Sequence, residues 1–391
     1  MNEGVGVNGV VDPAWEGVRD AFAANLAEGL DAGASLAVTL DGRPVVDVWG
    51  GTDPITGRAW ERDTVTIGFS VTKGVAAIAL LQLVERGLVD LDAPVARYWP
   101  EFAAAGKERF TVRELASHRV GLPVIEVDDI LSVADWDVAT STLAAQAPQY
   151  ETTKHFAYHA LSFGFLVGEV VRRASGLPFG EYVTRNISEP LGLDLWVGTP
   201  SGLGERYLPS LTDDVALGPV VDVPDEPGIL RSTALSGVQL MPLFHRVDGV
   251  IGTEPFNEQR FREATIPAGN GVTNGRSLAR MYAACLGEVD GVRLLQPGTV
   301  AEAATNQAGE VRKPGIGKPQ LWGIGFEISN YENPMLGPGS FGHSGMGGRL
   351  GFAQLGSGVS FGYVSQRMAY PPPGTFDPRW ERILPAVRAA L

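Results

Sequence analysis

The chain has 391 residues, of which 44% are hydrophobic and 19% charged, with 50 glycines and 27 prolines. That is long for one ordinary core, too apolar for wholesale disorder, and rich in turns and surface loops. A formal net charge of −14, with no Lys/Arg-rich run, excludes a nucleic-acid footprint and disfavours an anionic membrane surface.

Met1 to Val11 has no basic residue and no long apolar run, so it does not read as a secretory signal. The most apolar stretch, Gly74 to Val89, is short and is interrupted by Glu85-Arg86, so no spanning helix is expected. A soluble cytoplasmic protein is the expectation. Asp12-Pro13, followed by Trp15, Val18, Phe22 and Leu26 at helical spacing, predicts an N-terminal helix. Ala34–Leu40 and Pro44–Trp49 read as strands of a hairpin around Asp41-Gly42-Arg43. Thr64–Phe69 suits a short strand, and Ser70 opens a helical pattern through Arg86.

Thr111 with Glu114 forms a capping-box pattern ahead of Leu115. Leu161–Ser175, ended by Gly176, and Phe179–Ile187 read as helices. Residues 200–270 carry many Pro, Gly and Asp and little periodicity, the character of walls or lids around a site. Asn274–Leu286 is helical, and the lone cysteine, Cys285, reads there as a buried structural thiol. One cysteine permits neither an internal disulfide nor a cysteine-rich zinc site. Short β-like runs follow at Leu321–Ile328, Phe352–Leu355 and Val359–Val364, and Pro378–Leu391 closes the chain as a helix. Strands and a helix at both ends, with helices between, predict an α+β architecture. One α/β lobe, an antiparallel sheet flanked by helices, is expected from approximately residues 1–95 and 275–391. A mainly helical, loop-rich lobe is inserted over approximately 96–274.

The chemistry is carried by Ser70-Val71-Thr72-Lys73. Residues three apart on a helix share a face, so the hydroxyl and the amine can meet. A serine hydroxyl becomes a nucleophile when a base takes its proton, and a lysine can be that base only when neutral. The apolar flanks, Ile67-Gly68-Phe69 and Gly74 to Leu80, supply the burial that favours the neutral amine. Free N–H groups at a helix start also favour a developing oxyanion. A capping serine with a solvated lysine has the same spacing. Against it, lysine is rare in this chain, and Lys73 sits in the most apolar helix.

Ser70-x-x-Lys73 with its helix, the run Phe110–Pro123, Tyr158-His159-Ala160 ahead of a helix, and Gly342-His343-Ser344-Gly345 resemble the serine β-lactamase/penicillin-binding-protein superfamily. Within it the chain is most similar to the class C β-lactamase-like, or family VIII, carboxylesterases. The resemblance runs from about residue 30 to the end and is weakest over 200–270. It implies a β-lactamase/transpeptidase-like fold and a serine hydrolase acting through an acyl-enzyme on Ser70. It also implies that Tyr158 shares the proton work with Lys73, and that the backbone N–H groups of Ser70 and Met346 form an oxyanion hole. Ala160, His343, Ser344 and Gly345 would then line the substrate site. Two departures, Ala160 for the family's asparagine and His343 for its lysine, remove part of the grip on a β-lactam's amide and carboxylate. A neutral short-chain or aryl ester is therefore the expected small-molecule substrate, with no cofactor and no metal.

His155 and His159 have the spacing of a helical metal pair but lack its glutamate and precede the helix. Gly337 to Gly342 matches a dinucleotide fingerprint formally, but with proline in the turn and no helix after it, it reads as a loop. No Gly-x-Ser-x-Gly elbow occurs. The alternatives kept open are acyl transfer, amide or β-lactam hydrolysis on the same fold, and a catalytically silent binding protein.

Overall fold

The computed structural model describes residues 6–212, 228, 232, 235, 239, 244–247, 250–309, 321–331, 333–369 and 376–391. Most of the 213–243 stretch, where the sequence shows least periodicity, lies outside the described residues. Seven antiparallel strands form the main sheet: β1 (Val7–Val11), β2 (Gly33–Leu40), β3 (Arg43–Gly51), β4 (Glu327–Ile328), β5 (Ser340–Gly345), β6 (Arg349–Gln354) and β7 (Val359–Ser365). Their order is β1-β3-β2-β7-β6-β5-β4. The two ends of the chain meet at the β2–β7 seam, where Leu40 pairs with Val359 and Ala34 with Ser365. Asp41 and Gly42 turn β2 into β3 with φ of 49° and 78°, the left-handed pair that a two-residue hairpin needs.

Each face of the sheet buries apolar side chains against helices. On one face α1 (Glu16–Ala27) lies beside the closing helix. Trp15, Val18, Phe22 and Leu26 join Leu36, Val38, Phe352, Phe361, Ile383 and Val387 in one core. On the other face, α2 (Thr72–Glu85), α3 (Ser162–Ser175) and α4 (Gly275–Leu286) build a larger core. α2 is buried almost all round, and an apolar helix must be enclosed on every side in this way. The last helix is α5 (Pro378–Ala389). Among the described residues, no helix is long and apolar enough to cross a membrane.

The N-terminal helix, the hairpin, the capping box at Thr111 and Glu114, and the helices ended by Gly176 and begun by Asn274 stand where the sequence places them. Cys285 is buried, its thiol donates to the Met281 carbonyl at 3.5 Å, and burial pushes its pKa up.

Four expectations are corrected. Thr64–Phe69 is a strand only at Thr66–Ile67, because Phe69 takes φ of 50° and breaks the extension. Leu321–Ile328 is a strand only at Glu327–Ile328, since Gly323 N–H turns back to the Phe326 carbonyl and Ile324 N–H goes to Ala303. The loop reading of Gly337–Gly342 fails from Ser340 onward, where β5 begins. The helix from Phe179 is α-helical only to Val183, then passes through a wide π-turn at Thr184–Ser188. β1 carries no sequence signal because three of its five residues are exposed, and an edge strand of this kind leaves no apolar pattern.

A buried charge cluster ties α5 to the turn between β5 and β6. Arg379, fully buried, donates to Asp31 at 3.1 Å, to Asp377 at 2.6 Å and to the Gly347 carbonyl at 2.5 Å. Trp380 Nε1 donates to the Gly348 carbonyl at 2.8 Å. Removing one partner from a buried pair strands the other charge. Arg379→Met is therefore expected to cost about 3–5 kcal/mol, read as a lower denaturation midpoint with an unchanged slope. A loss under ~1 kcal/mol would mean that Asp31 and Asp377 are well solvated without it.

Candidate active site

The turn that carries Ser70 is held from three directions. Gly68 N–H donates to the Gly271 carbonyl at 2.7 Å. Thr72 Oγ1 donates to the Phe69 carbonyl at 2.6 Å and accepts Gly271 N–H at 2.9 Å. The Phe69 ring packs edge-on against Phe256 at 5.4 Å, and the Arg349 guanidinium lies 5.1 Å from its centroid. A left-handed non-glycine residue costs about 1–3 kcal/mol and persists only where its surroundings enforce it. Phe69 is such a residue, and it sets Ser70 on a short 3-10 turn immediately before α2. Ser70 is half-buried, while Lys73, one turn further, is fully buried.

Lys73 Nζ lies 2.9 Å from Ser70 Oγ and donates to the Ala268 carbonyl at 3.0 Å. Burial pushes the amine well below its usual range, partly opposed by the negative charge of Glu327. A neutral amine holds one N–H on Ala268 and turns its lone pair to the serine proton.

Tyr158 completes the cluster. Its phenol is hydrogen-bonded to Ser70, and its ring centroid is 4.8 Å from Lys73 Nζ. Burial raises the phenol pKa, so the group keeps its proton at neutral pH. The ring stacks on Trp322 at 5.4 Å and leans on His118 at 5.0 Å. His118 Nδ1 in turn accepts the His159 N–H at 3.1 Å. Both ring nitrogens of His159 are engaged: Nδ1 donates to Ala157 at 2.7 Å and Nε2 accepts Leu122 N–H at 3.0 Å. His159 is therefore committed to the loop and not presented as a ligand. Burial holds it at about 4 and keeps His118 well below its usual range.

The far wall is β5. His343 Nδ1 donates to the Ser344 carbonyl at 2.6 Å, and burial pushes its pKa down to about 3. Ser344 Oγ donates to Glu327 at 2.7 Å. A Cβ on Gly345 would lie 2.3 Å from the Gly68 carbonyl, so the strand end abuts the turn that carries Ser70 directly. Met346 follows at once, half-buried. Ala160 is half-buried between Tyr158 and α3 and offers no polar side-chain group.

Ser70, Lys73 and Tyr158 are thus in mutual contact, and Gly345 meets the same turn. Three participants were missed in the sequence: Glu327, His118 and Trp322. Glu327 had a legible signal, a lone carboxylate inside an apolar run read as a strand, since a buried acid must have partners. His118 and Trp322 had none, because only the tertiary fold brings their rings to Tyr158.

A family model described as Beta-lactamase matches residues 20–385. "Esterase/beta-lactamase LipL" of Mycobacterium tuberculosis is 33% identical over 376 residues, 93% of this chain and 84% of that one. A solved family VIII carboxylesterase superposes with a TM-score of 0.85 at 33% identity, covering 99% of this chain and 100% of the other. A penicillin-binding protein homologue from Caulobacter crescentus gives a TM-score of 0.85 at 32% identity, with 99% and 100% covered.

Proposed function

This chain belongs to the beta-lactamase family, and from that premise we propose that it is a carboxylesterase for short-chain or aryl esters, working through an acyl-enzyme on Ser70. The observation that carries the reading is the buried amine of Lys73 at 2.9 Å from Ser70 Oγ. In this reading Ser70 Oγ attacks the ester carbonyl as its proton passes to Lys73. The negative charge on the carbonyl oxygen is met by the N–H groups of Ser70 and Met346. Tyr158, still a phenol, relays a proton to the departing alkoxide, so an alcohol leaves and an acyl-serine remains. Water then attacks the acyl carbon along the reverse proton path and releases the acid.

The roles of Lys73 and Tyr158 follow from burial acting in opposite senses on the two groups. It favours the neutral amine, a base, and the neutral phenol, an acid. Substrate preference follows from the β5 wall. His343 stays neutral where the related hydrolases carry lysine, and Ala160 supplies no amide, so a β-lactam carboxylate finds little there to hold it. Intact mass after fluorophosphonate treatment, with peptide mapping, should show one adduct on Ser70, and nitrophenyl butyrate should be turned over far faster than a cephalosporin. A folded protein that takes no adduct, or that prefers the cephalosporin, would overturn the reading.

The pH dependence has a definite sign. Protonated Lys73 cannot accept the serine proton, so kcat/KM should fall as pH drops through the depressed pKa of Lys73 and stay level above it. Burial holds His343 down to about 3, so it is neutral through the neutral and mildly acid range. His343→Asn should therefore leave the acid limb in place while altering substrate preference. A limb moved by more than about half a unit would assign it to the imidazole.

A further inference from the structure

Among the described residues, the backbone pairing on the outer edge of β5 covers Ser340 to Gly342: Ser329 N–H donates to the Ser340 carbonyl at 3.0 Å, and Phe341 and Gly342 face Ile328 and Glu327. Ahead of β4 the chain turns away, and Gly325 N–H goes to the Ala116 carbonyl at 2.8 Å. The next outward N–H of β5 belongs to Ser344, and a side chain takes it: Glu327 Oε2 accepts it at 2.9 Å. The same oxygen accepts Ser344 Oγ–H at 2.7 Å and Asn333 Nδ2–H at 3.1 Å. Glu327 is 7% exposed, and its charge bears on both Lys73 and Tyr158.

We propose that Glu327 is a positioning residue of this site: its carboxylate stands in for the missing strand partner of Ser344, fixes the approach of Gly345 and Met346 to Ser70, and is the counter-charge facing Lys73. An edge N–H left without an acceptor lets a strand end drift. Here the drift would carry Met346 N–H away from Ser70. A carboxylate does this better than an amide because it accepts both Ser344 donors at one oxygen with a charge-assisted bond. The other groups facing Lys73 are the phenol of Tyr158 and the imidazoles of His118, His159 and His343, all held neutral by burial. Glu327 is thus the group among them that carries charge toward the amine. The inference rests on the reading of Ser70 and Lys73 as nucleophile and base.

Two variants separate charge from geometry. Glu327→Gln keeps the shape and removes the charge. Its acid limb in kcat/KM should move to lower pH by about half a unit to one unit, because protonated Lys73 loses its support. Its plateau should fall about tenfold as the strand end loosens. Glu327→Asp keeps the charge but is one methylene shorter, so its limb should stay while the plateau falls. Both limbs are read on nitrophenyl butyrate with the full chain, alongside the rate of Ser70 labelling by a fluorophosphonate and a thermal melt. An unmoved limb in a folded Glu327→Gln enzyme overturns the proposal. If Glu327→Gln does not melt cooperatively, Glu327→Asp carries the test, and wild-type plateau and labelling rate in it overturn the proposal equally. Wild-type protein that takes no label at Ser70 defeats the esterase reading itself, a result distinct from either of these.

Discussion

Lys73→Ala is expected to lower kcat/KM on an activated ester by about 10³-fold or more, near the upper range for loss of a positioned base. Ser70→Ala should remove acyl-enzyme formation altogether. Ser70 Oγ lies 2.9 Å from the amine, whereas the other serine hydroxyl of the site, Ser344 Oγ, is turned to Glu327 at 2.7 Å. The two residues act as one unit, so the double variant should be little worse than Ser70→Ala alone. Tyr158→Phe keeps the ring stacked on Trp322 and removes only the phenol, and it should cost about a hundredfold in kcat with little change in melting. His343→Ala should be milder and shift preference among esters. Initial rates on one nitrophenyl ester, with thermal melts as the folding control, read the whole series. A well-folded Lys73→Ala enzyme that keeps most of its activity would reduce the Ser70/Lys73 contact to a coincidence of helical spacing.

The Ser70/Lys73 contact could be read from sequence because its geometry is local. Three residues of helix fix the hydroxyl–amine approach, and the apolar composition of the following helix already implies that the amine is buried. Tyr158 was placed through the family resemblance alone, since nothing within residues 150–160 says which wall of the fold it joins. The hairpin at Asp41-Gly42 and the caps at Thr111 and Asn274 were legible for the same local reason as Ser70. Glu327 shows the limit of such reading. Its role depends on where β4 stops pairing, and that is decided by Gly325 binding Ala116, more than two hundred residues away in sequence. The strain at Phe69 is of the same kind: a left-handed phenylalanine is set by Phe256, Arg349 and Gly271, none of them near in the chain. Over 200–270 little periodicity was available, so the sequence offered no local signal from which elements there could be placed.

Gly345→Ala should lower turnover strongly. Its φ does not demand glycine; the space does. An added Cβ would stand 2.3 Å from the Gly68 carbonyl oxygen, 3.0 Å from Arg349 Cβ and 3.3 Å from Val71 Cγ1. Non-bonded carbon contacts relax to about 3.5–4.0 Å, so the end of β5 must retreat by roughly 1 Å. The Gly68 side cannot yield instead, because Gly68 N–H is bonded to Gly271 at 2.7 Å and the turn is braced by Thr72. The retreat carries Met346 N–H away from the oxygen that gains charge in the transition state. A displacement of that size costs about 10²-fold in kcat, and crowding in a packed interior adds about 1–3 kcal/mol of instability. KM should change far less, because the ground-state ester relies little on the oxyanion contact. Gly298→Ala is the matched control: a Cβ there meets nothing within 4 Å, so activity and melting should stay at the wild-type level. A Gly345→Ala enzyme with wild-type kcat would show that β5 does not set the oxyanion contact.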